Sequence, residues 1–326
     1  MARQAGDFVG RSVVIIPYPA LGDLTVYLRL GWLFHRAGAQ VTFCCNVLLP
    51  TQDYFPWVNL LPEDECDLAV LAGRFDLVIS CFEMFSRMKV SLTTVAELHN
   101  VAFVSAKKIA RESGLNGRGV IVCQHCFPNA TRAFCLDSQA GKTMVEWVDS
   151  YAHEVFGLKL DTMDGMLQQI AATSAGNLVL VFPTTPQAKK NYWLSGFRVL
   201  ARTLQRRGWQ VEFVCMPAEH ERIQSALPGF QVSSFPDLRA LMGRVASAAV
   251  VISNDSGGGH LASLLGVATF TITRRRENFV WRPGFSNNNT VLYPWFRFKW
   301  LDKQYVWRPF VPVWRIAAQL GQRKPE

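Results

Sequence analysis

Apolar positions along the chain fall into short unbroken runs separated by stretches with helical spacing. Residues 12–18 (SVVIIPY) form a run rich in β-branched side chains, the pattern of a strand buried on both faces. The small-residue turn Pro19-Ala20-Leu21-Gly22 follows it. From 23 to 36, Leu24, Tyr27, Leu28, Leu30, Gly31 and Leu33 make one broad helical face, and Gly38 is its stop signal. Residues 40–45 and 75–80 repeat the strand pattern, residues 120–123 read as a further strand, and 143–156 read as a helix.

A second series begins after the weakly patterned stretch 157–176, with strands at 177–182, 209–215, 249–253 and 268–273. Helices are expected at 193–207, 219–226, 238–248 and 258–265. Alternating strand and helix predicts parallel sheets covered by helices. The expected fold is therefore α/β: two Rossmann-like, doubly wound domains facing across a cleft, over residues 1–165 and 166–326.

Composition narrows the class. With 49% apolar and 18% charged residues, the chain can bury a large core, which excludes a disordered or fibrous protein. No stretch reaches 18 apolar residues without charge, so a spanning helix is not expected. The N-terminal stretch lacks a full apolar segment followed by a small-residue cleavage site, so it is read as mature sequence and the protein as cytoplasmic. All eight cysteines are then expected as thiols. Cys123 and Cys126 form one C-x-x-C, with His125 and Cys135 nearest. That spacing is irregular for zinc, and buried small hydrophobes are the expectation.

The densest chemical pattern is Ser253-Asn254-Asp255-Ser256-Gly257-Gly258-Gly259-His260. An apolar strand runs into a polar, Gly-rich turn from which a helix starts at once. Unpaired N–H groups at a helix start suit a phosphate, and glycines admit close approach of a ligand. Asp255 suits sugar hydroxyls. The competing reading is that Asn254, Asp255 or Ser256 only caps the helix. Asp23, on the first strand-to-helix turn, is likewise either a carboxylate aimed into the cleft or an N-cap.

The stretch 254–272 resembles the motif of glycosyltransferase family 9, the lipopolysaccharide heptosyltransferases. Asn254, Asp255, Ser256, Gly257, His260, Leu261, Ala262, Leu265, Gly266 and Thr269 match, and Ala268 replaces the usual Pro. Three further stretches follow the family's order: Ala20-Leu21-Gly22-Asp23, Phe182-Pro183-Thr184-Thr185 with Lys189-Lys190, and Cys215 to Glu221. The resemblance implies a GT-B fold with Asp23 as catalytic base. It implies donor-phosphate contacts from Thr184, Thr185, Lys190, Ser256 and Gly257, with Lys189 as the alternative register. Asp255 and His260 belong to the same donor site. Glu219 or Glu221 holds the ribose, and Leu238 touches the adenine.

The implied activity is inverting, metal-independent transfer of a heptose from ADP-heptose to the lipopolysaccharide inner core. No cofactor is implied. The acceptor is a lipid A-core glycolipid, and a monomer in peripheral contact with the inner face of the cytoplasmic membrane is expected. Where the family continues F-G-P-[ST]-D-P, this chain has Thr273-Arg274-Arg275-Arg276-Glu277. Arg274 and Arg275 are therefore candidate phosphate or acceptor contacts, and a different donor sugar or surface-glycan acceptor is the alternative.

Charge adds one more element. Of 34 basic and 25 acidic residues, 11 and 3 lie in 274–326, so that stretch carries +8 of the formal +9. Twelve aromatic residues between 279 and 314 alternate with these bases. Three readings compete: nucleic-acid binding on a non-catalytic scaffold, contact with an anionic membrane, and a structural brace. With no RNA-binding motif present, the expectation is that 295–326 packs back on the first domain with some membrane contact, and that nucleic acid is not a partner.

Overall fold

A computed structural model describes residues 8–85, 91, 95, 97–170, 175–299 and 305–322. The chain divides into two compact units, Met1–Gln169 and Ile170–Glu326.

The first unit runs β1 (Ser12–Ile16), α1 (Leu21–Arg36), β2 (Gln40–Cys44), β3 (Val58–Leu61), α2 (Leu68–Arg74), β4 (Leu77–Cys81), α3 (Phe82–Phe85) and β5 (Val101–Ser105). It continues β6 (Val120–Val122), β7 (His125–Phe127), β8 (Arg132–Ala133) and α4 (Met144–Phe156). Six parallel strands are ordered β3-β2-β1-β4-β5-β8. Every residue of β4 and β5 is buried, which is why these strands read as unbroken apolar runs.

Helix α1 lies so close to the sheet that a Cβ on Gly31 would stand 2.7 Å from the Phe43 ring. Its buried Arg29 reaches across to α4, with Nε 2.7 Å from Asp149 Oδ1 and Nη2 donating to the Asp161 carbonyl at 2.8 Å. Helix α4 opens on a capping box between Thr143 and Glu146 and closes on Gly157 at φ 69°.

Three expectations are corrected here. Residues 120–123 do not join the main sheet. β6 and β7 form a separate antiparallel hairpin, because Cys123 and Gln124 take φ of 47° and 70°, the left-handed pair that a two-residue hairpin turn requires. Cys123 and Cys126, expected as buried small hydrophobes, are both exposed, and Cys123 Sγ donates to Asp76 Oδ1 at 3.1 Å. Nor are all eight cysteines thiols, since Cys44 and Cys66 are disulfide-bonded. The neighbouring strands β2 and β3 pair Cys44 with Leu61, and the short turn after β3 returns Cys66 to within 6.4 Å Cα to Cα.

The second unit runs β9 (Ala175–Phe182), α5 (Leu194–Gln205), β10 (Gln210–Val214), α6 (His220–Ala226), β11 (Gln231–Ser233), α7 (Leu238–Ala246), β12 (Ala248–Asn254), α8 (Gly257–Leu264) and β13 (Ala268–Ile272). It ends with β14 (Asn289–Leu292), β15 (Phe298–Lys299), β16 (Tyr305–Val306) and α9 (Trp314–Gln322). Its parallel sheet is ordered β11-β10-β9-β12-β13-β14. The C-terminal segment, expected on the first domain, contributes Trp307, Val311, Ile316, Ala317 and Leu320 to the second unit's own core, with Val181, Phe197, Leu200 and Ile252. Arg207 Nη1 donates to the Ala317 carbonyl, tying α5 to α9.

In each sheet the strand order reverses once, between β1 and β4 and between β9 and β12. Ligands of doubly wound sheets bind outside the carboxyl ends of the strands at that point.

Candidate functional site

In the first unit, the reversal point carries Asp23. It sits in the first turn of α1, whose N-cap is Ala20, so Asp23 is not the cap. A carboxylate there is favoured by the positive end of the helix. One turn on, the buried Tyr27 phenol is pushed well above its ordinary range by burial, with Cys81 and the carboxylates of Glu83 and Asp23 adding to the effect. Sequence reasoning missed this surrounding group. Glu83, just beyond β4, accepts from Cys81 Sγ and from Ser105 Oγ, each at 2.8 Å. Burial pushes the Cys81 thiol up to about 12, so it is a donor and not a nucleophile.

In the second unit, both motif stretches converge on the β9/β12 reversal. β12 ends at Asn254, and α8 starts at Gly257 with Ser256 as N-cap. The Ser256 hydroxyl makes no capping bond. Fully buried Asn254 clamps the other stretch: its Oδ1 accepts from the Tyr192 N–H at 2.8 Å and its Nδ2 donates to the Pro183 carbonyl at 2.7 Å. That clamp, which no motif reading had found, fixes the loop that carries Lys190. Lys190 Nζ lies 3.1 Å from Asp255 Oδ2, with the Asp255 side chain only 6% exposed. Lys189 is exposed, so the structure brings Lys190 to the motif.

Thr184 Oγ1 donates to Glu219 Oε2 at 2.7 Å, and Glu219 also pairs with Arg222. Glu221 lies exposed in the first turn of α6. Thr185 Oγ1 donates to Asn191 Oδ1 at 2.8 Å. Leu238 opens α7 and is buried, with Asp237 capping that helix. Arg274 lies over the Tyr305 ring, 5.7 Å from its centroid, and the Arg275 N–H donates to Thr273 Oγ1.

The glycines of this motif have a packing role. A Cβ on Gly258 would meet the Phe182 ring at 2.6 Å, and one on Gly259 would meet Ser253 Oγ at 2.6 Å. They admit the sheet, so the helix start is held tight against the ends of β9 and β12. His260 is buried within α8, edge-on to Trp281. Burial lowers its pKa to about 4, with the attraction of Asp255 opposing and the charge of Lys190 adding to that shift. It is neutral at pH 7.

Together these features offer a lysine, a helix start and a network of hydroxyls and carboxylates at the carboxyl edge of one sheet, and a carboxylate at the carboxyl edge of the other. Among the described residues, no three His, Cys, Asp or Glu side chains group as metal ligands, and no helix is long and apolar enough to cross a membrane.

Two doubly wound parallel sheets, one in each unit, are the architecture of glycosyltransferases of the GT-B fold. The model of glycosyltransferase family 9 (heptosyltransferase) matches residues 103–293, and the chain belongs to that family. No curated protein matches it in sequence. Solved structures agree in fold. E. coli heptosyltransferase WaaC with ADP is 16% identical, over 86% of this chain and 92% of that one, with a TM-score of 0.58. E. coli ADP-heptose lipopolysaccharide heptosyltransferase II is 16% identical over 95% and 98%, at 0.63. The family 9 glycosyl transferase from Veillonella parvula DSM 2008 is 14% identical over 99% and 100%, at 0.66.

Proposed function

We propose that the chain transfers a heptose from ADP-heptose to a hydroxyl of the lipopolysaccharide inner core by a single inverting displacement that uses no metal. The observation that carries this reading is the Lys190–Asp255 pair at the head of α8. A cation beside a helix N-terminus suits the charge that a leaving diphosphate gathers. In the step, the acceptor oxygen bonds to the anomeric carbon as the bond from that carbon to the diphosphate oxygen breaks. The acceptor proton passes to the Asp23 carboxylate and ADP departs. Thr184, Thr185, Ser256 and Gly257 hold the phosphates, Asp255 orients the sugar, and Glu219 holds the ribose beside Thr184. Leu238 packs on the base, and His260 supports the helix start from below.

Family membership supports the reaction class, and two of the solved relatives are named for ADP or ADP-heptose. The acceptor is carried on a lipid, so the enzyme works at the inner face of the cytoplasmic membrane; on this reading it acts there as a monomer. A second reading, a different nucleotide sugar, is favoured by Arg274 and Arg275, which stand where the family has a Gly-Pro turn.

The test is transfer from ADP-heptose to core-truncated lipopolysaccharide, read by the mass of the product. Asp23→Ala should lower turnover about 10²- to 10⁴-fold and leave ADP affinity unchanged. Unimpaired transfer by that variant removes the base assignment. A wild-type enzyme that accepts only another nucleotide sugar removes the donor.

A further inference from the structure

Residues 295–314 include five large side chains left in solvent: Trp295 (57% exposed), Phe296 (69%), Phe298, Tyr305 and Trp314 (60%). The same segment places Trp307 in the core at 1% exposure. It therefore had access to a core and still left these five outside. They lie on the β15–β16 ribbon and the segments flanking it, with Phe298 and Tyr305 on opposite faces of the ribbon. Phe296 and Phe298 both rest against Phe310, and the Trp295 N–H donates to the Phe310 carbonyl. Arg315 lies over both Trp295 and Trp314. On the β15–β16 ribbon, Lys299 and Tyr305 are directly paired, with Arg274 over the same ring and Arg297 Nη1 donating to the Arg274 carbonyl.

Charge accompanies the aromatics. Among the described residues from 274 to 322, Glu277 is the single acidic one. Between β14 and α9 lies a cavity of about 100 Å³ lined by Tyr293, Trp295, Pro312, Arg315 and Ile316. It sets a guanidinium beside apolar walls at the edge of the exposed segment.

We propose that this ribbon, with the segments flanking it, docks on the surface of an anionic phospholipid bilayer, with the aromatic side chains at headgroup depth and Arg274, Arg297, Lys299 and Arg315 on lipid phosphates. Trp, Tyr and Phe interleaved with cations match such a surface in both its apolar and its charged layer. The prolines at 294, 309 and 312 keep the segment from being one amphipathic helix, so it is a folded platform built on the second unit. This locates the membrane contact of the proposed function and rests on that reading for the lipid-borne acceptor. Its test needs no turnover, so the two fail separately.

The full chain is spun with vesicles of phosphatidylcholine alone and with vesicles containing one quarter phosphatidylglycerol. Wild type should pellet with the anionic vesicles and stay in solution with the neutral ones. Phe296→Ala with Trp314→Ala should lower the bound fraction at least about fivefold. Arg297→Glu with Lys299→Glu should lower it by about fivefold or more for each cation removed. These are exposed positions, and an unchanged thermal unfolding midpoint serves as the check that the second unit stays folded. Wild type that ignores anionic vesicles, or variants that bind them as wild type does, overturns the proposal. Variants that change the mass of the protein in solution while leaving vesicle binding intact would assign the ribbon to a second copy of the chain and also overturn it. Equal partition onto RNA-coated beads and anionic vesicles, lost together at high salt and untouched by the aromatic substitutions, would overturn it in favour of plain charge attraction.

Discussion

At the scale of single residues, His260 makes a prediction with a definite sign. Unfolded, its imidazole takes a proton near 6.5; folded, it does so only near 4. Between those values the unfolded chain binds a proton that the folded one refuses. Stability of the second unit therefore falls as pH drops from 6.5 toward 4, and His260 contributes no slope above that window. The loss should approach about 3 kcal/mol. Urea unfolding followed at stepped pH should show it, and His260→Gln should flatten the slope. An unchanged slope would place the acid sensitivity elsewhere. The motif made His260 visible in the sequence, but not its neutrality, because that depends on burial under Trp281 and on Lys190. The glycines were visible as well, but not that Gly258 and Gly259 make room for Phe182 and Ser253, because a pattern of residues does not say what a missing side chain would meet.

At the scale of elements, α1 carries Asp23 and is held to α4 by Arg29. Removing the guanidinium leaves Asp149 half-buried without its charge partner and the Asp161 carbonyl without its donor. Arg29→Ala should destabilise the first unit by about 3–5 kcal/mol. Under conditions where the unit stays folded it should lower kcat through a displaced Asp23, with ADP affinity in the second unit unaffected. Thermal unfolding with isothermal titration of ADP separates the two effects. The sequence announced α1 through its apolar face and its Gly38 stop. The Arg29–Asp149 pair spans 120 positions and follows no local rule, so periodicity could not reveal it. For the same reason β6 was legible as strand, but neither its partner β7 nor the separate sheet was. An apolar triplet such as Val120–Val122 says nothing of its neighbour, and only the two left-handed residues at the turn decide the pairing.

At the scale of the whole molecule, the central strands β1, β4 and β12 were legible because they are buried on both faces, unlike the partly exposed edge strands β3, β11 and β14. The place of the C-terminal segment was not. Twelve aromatics in one basic stretch look alike in sequence, yet Trp307 is core while Trp295 and Trp314 are surface. Trp307→Ala should cost the second unit about 3–5 kcal/mol, lowering its unfolding midpoint without moving that of the first unit. Differential scanning calorimetry should then resolve two transitions, and a joint shift of both would contradict independent cores. Trp314→Ala, by contrast, should leave both midpoints in place.

The docking of α9 into the second unit also sets the timing of synthesis. The aromatic core of the first unit, from Phe8 to Phe156, is complete once α4 has left the ribosome. The second sheet has all its strands once β14 has emerged, yet its core stays open on one side until Ile316 and Leu320 follow. At ordinary elongation rates the first unit then has roughly ten seconds or more to fold by itself before the second can close. A ribosome stalled near residue 300 would hold a finished first unit and an unfinished, protease-sensitive second one.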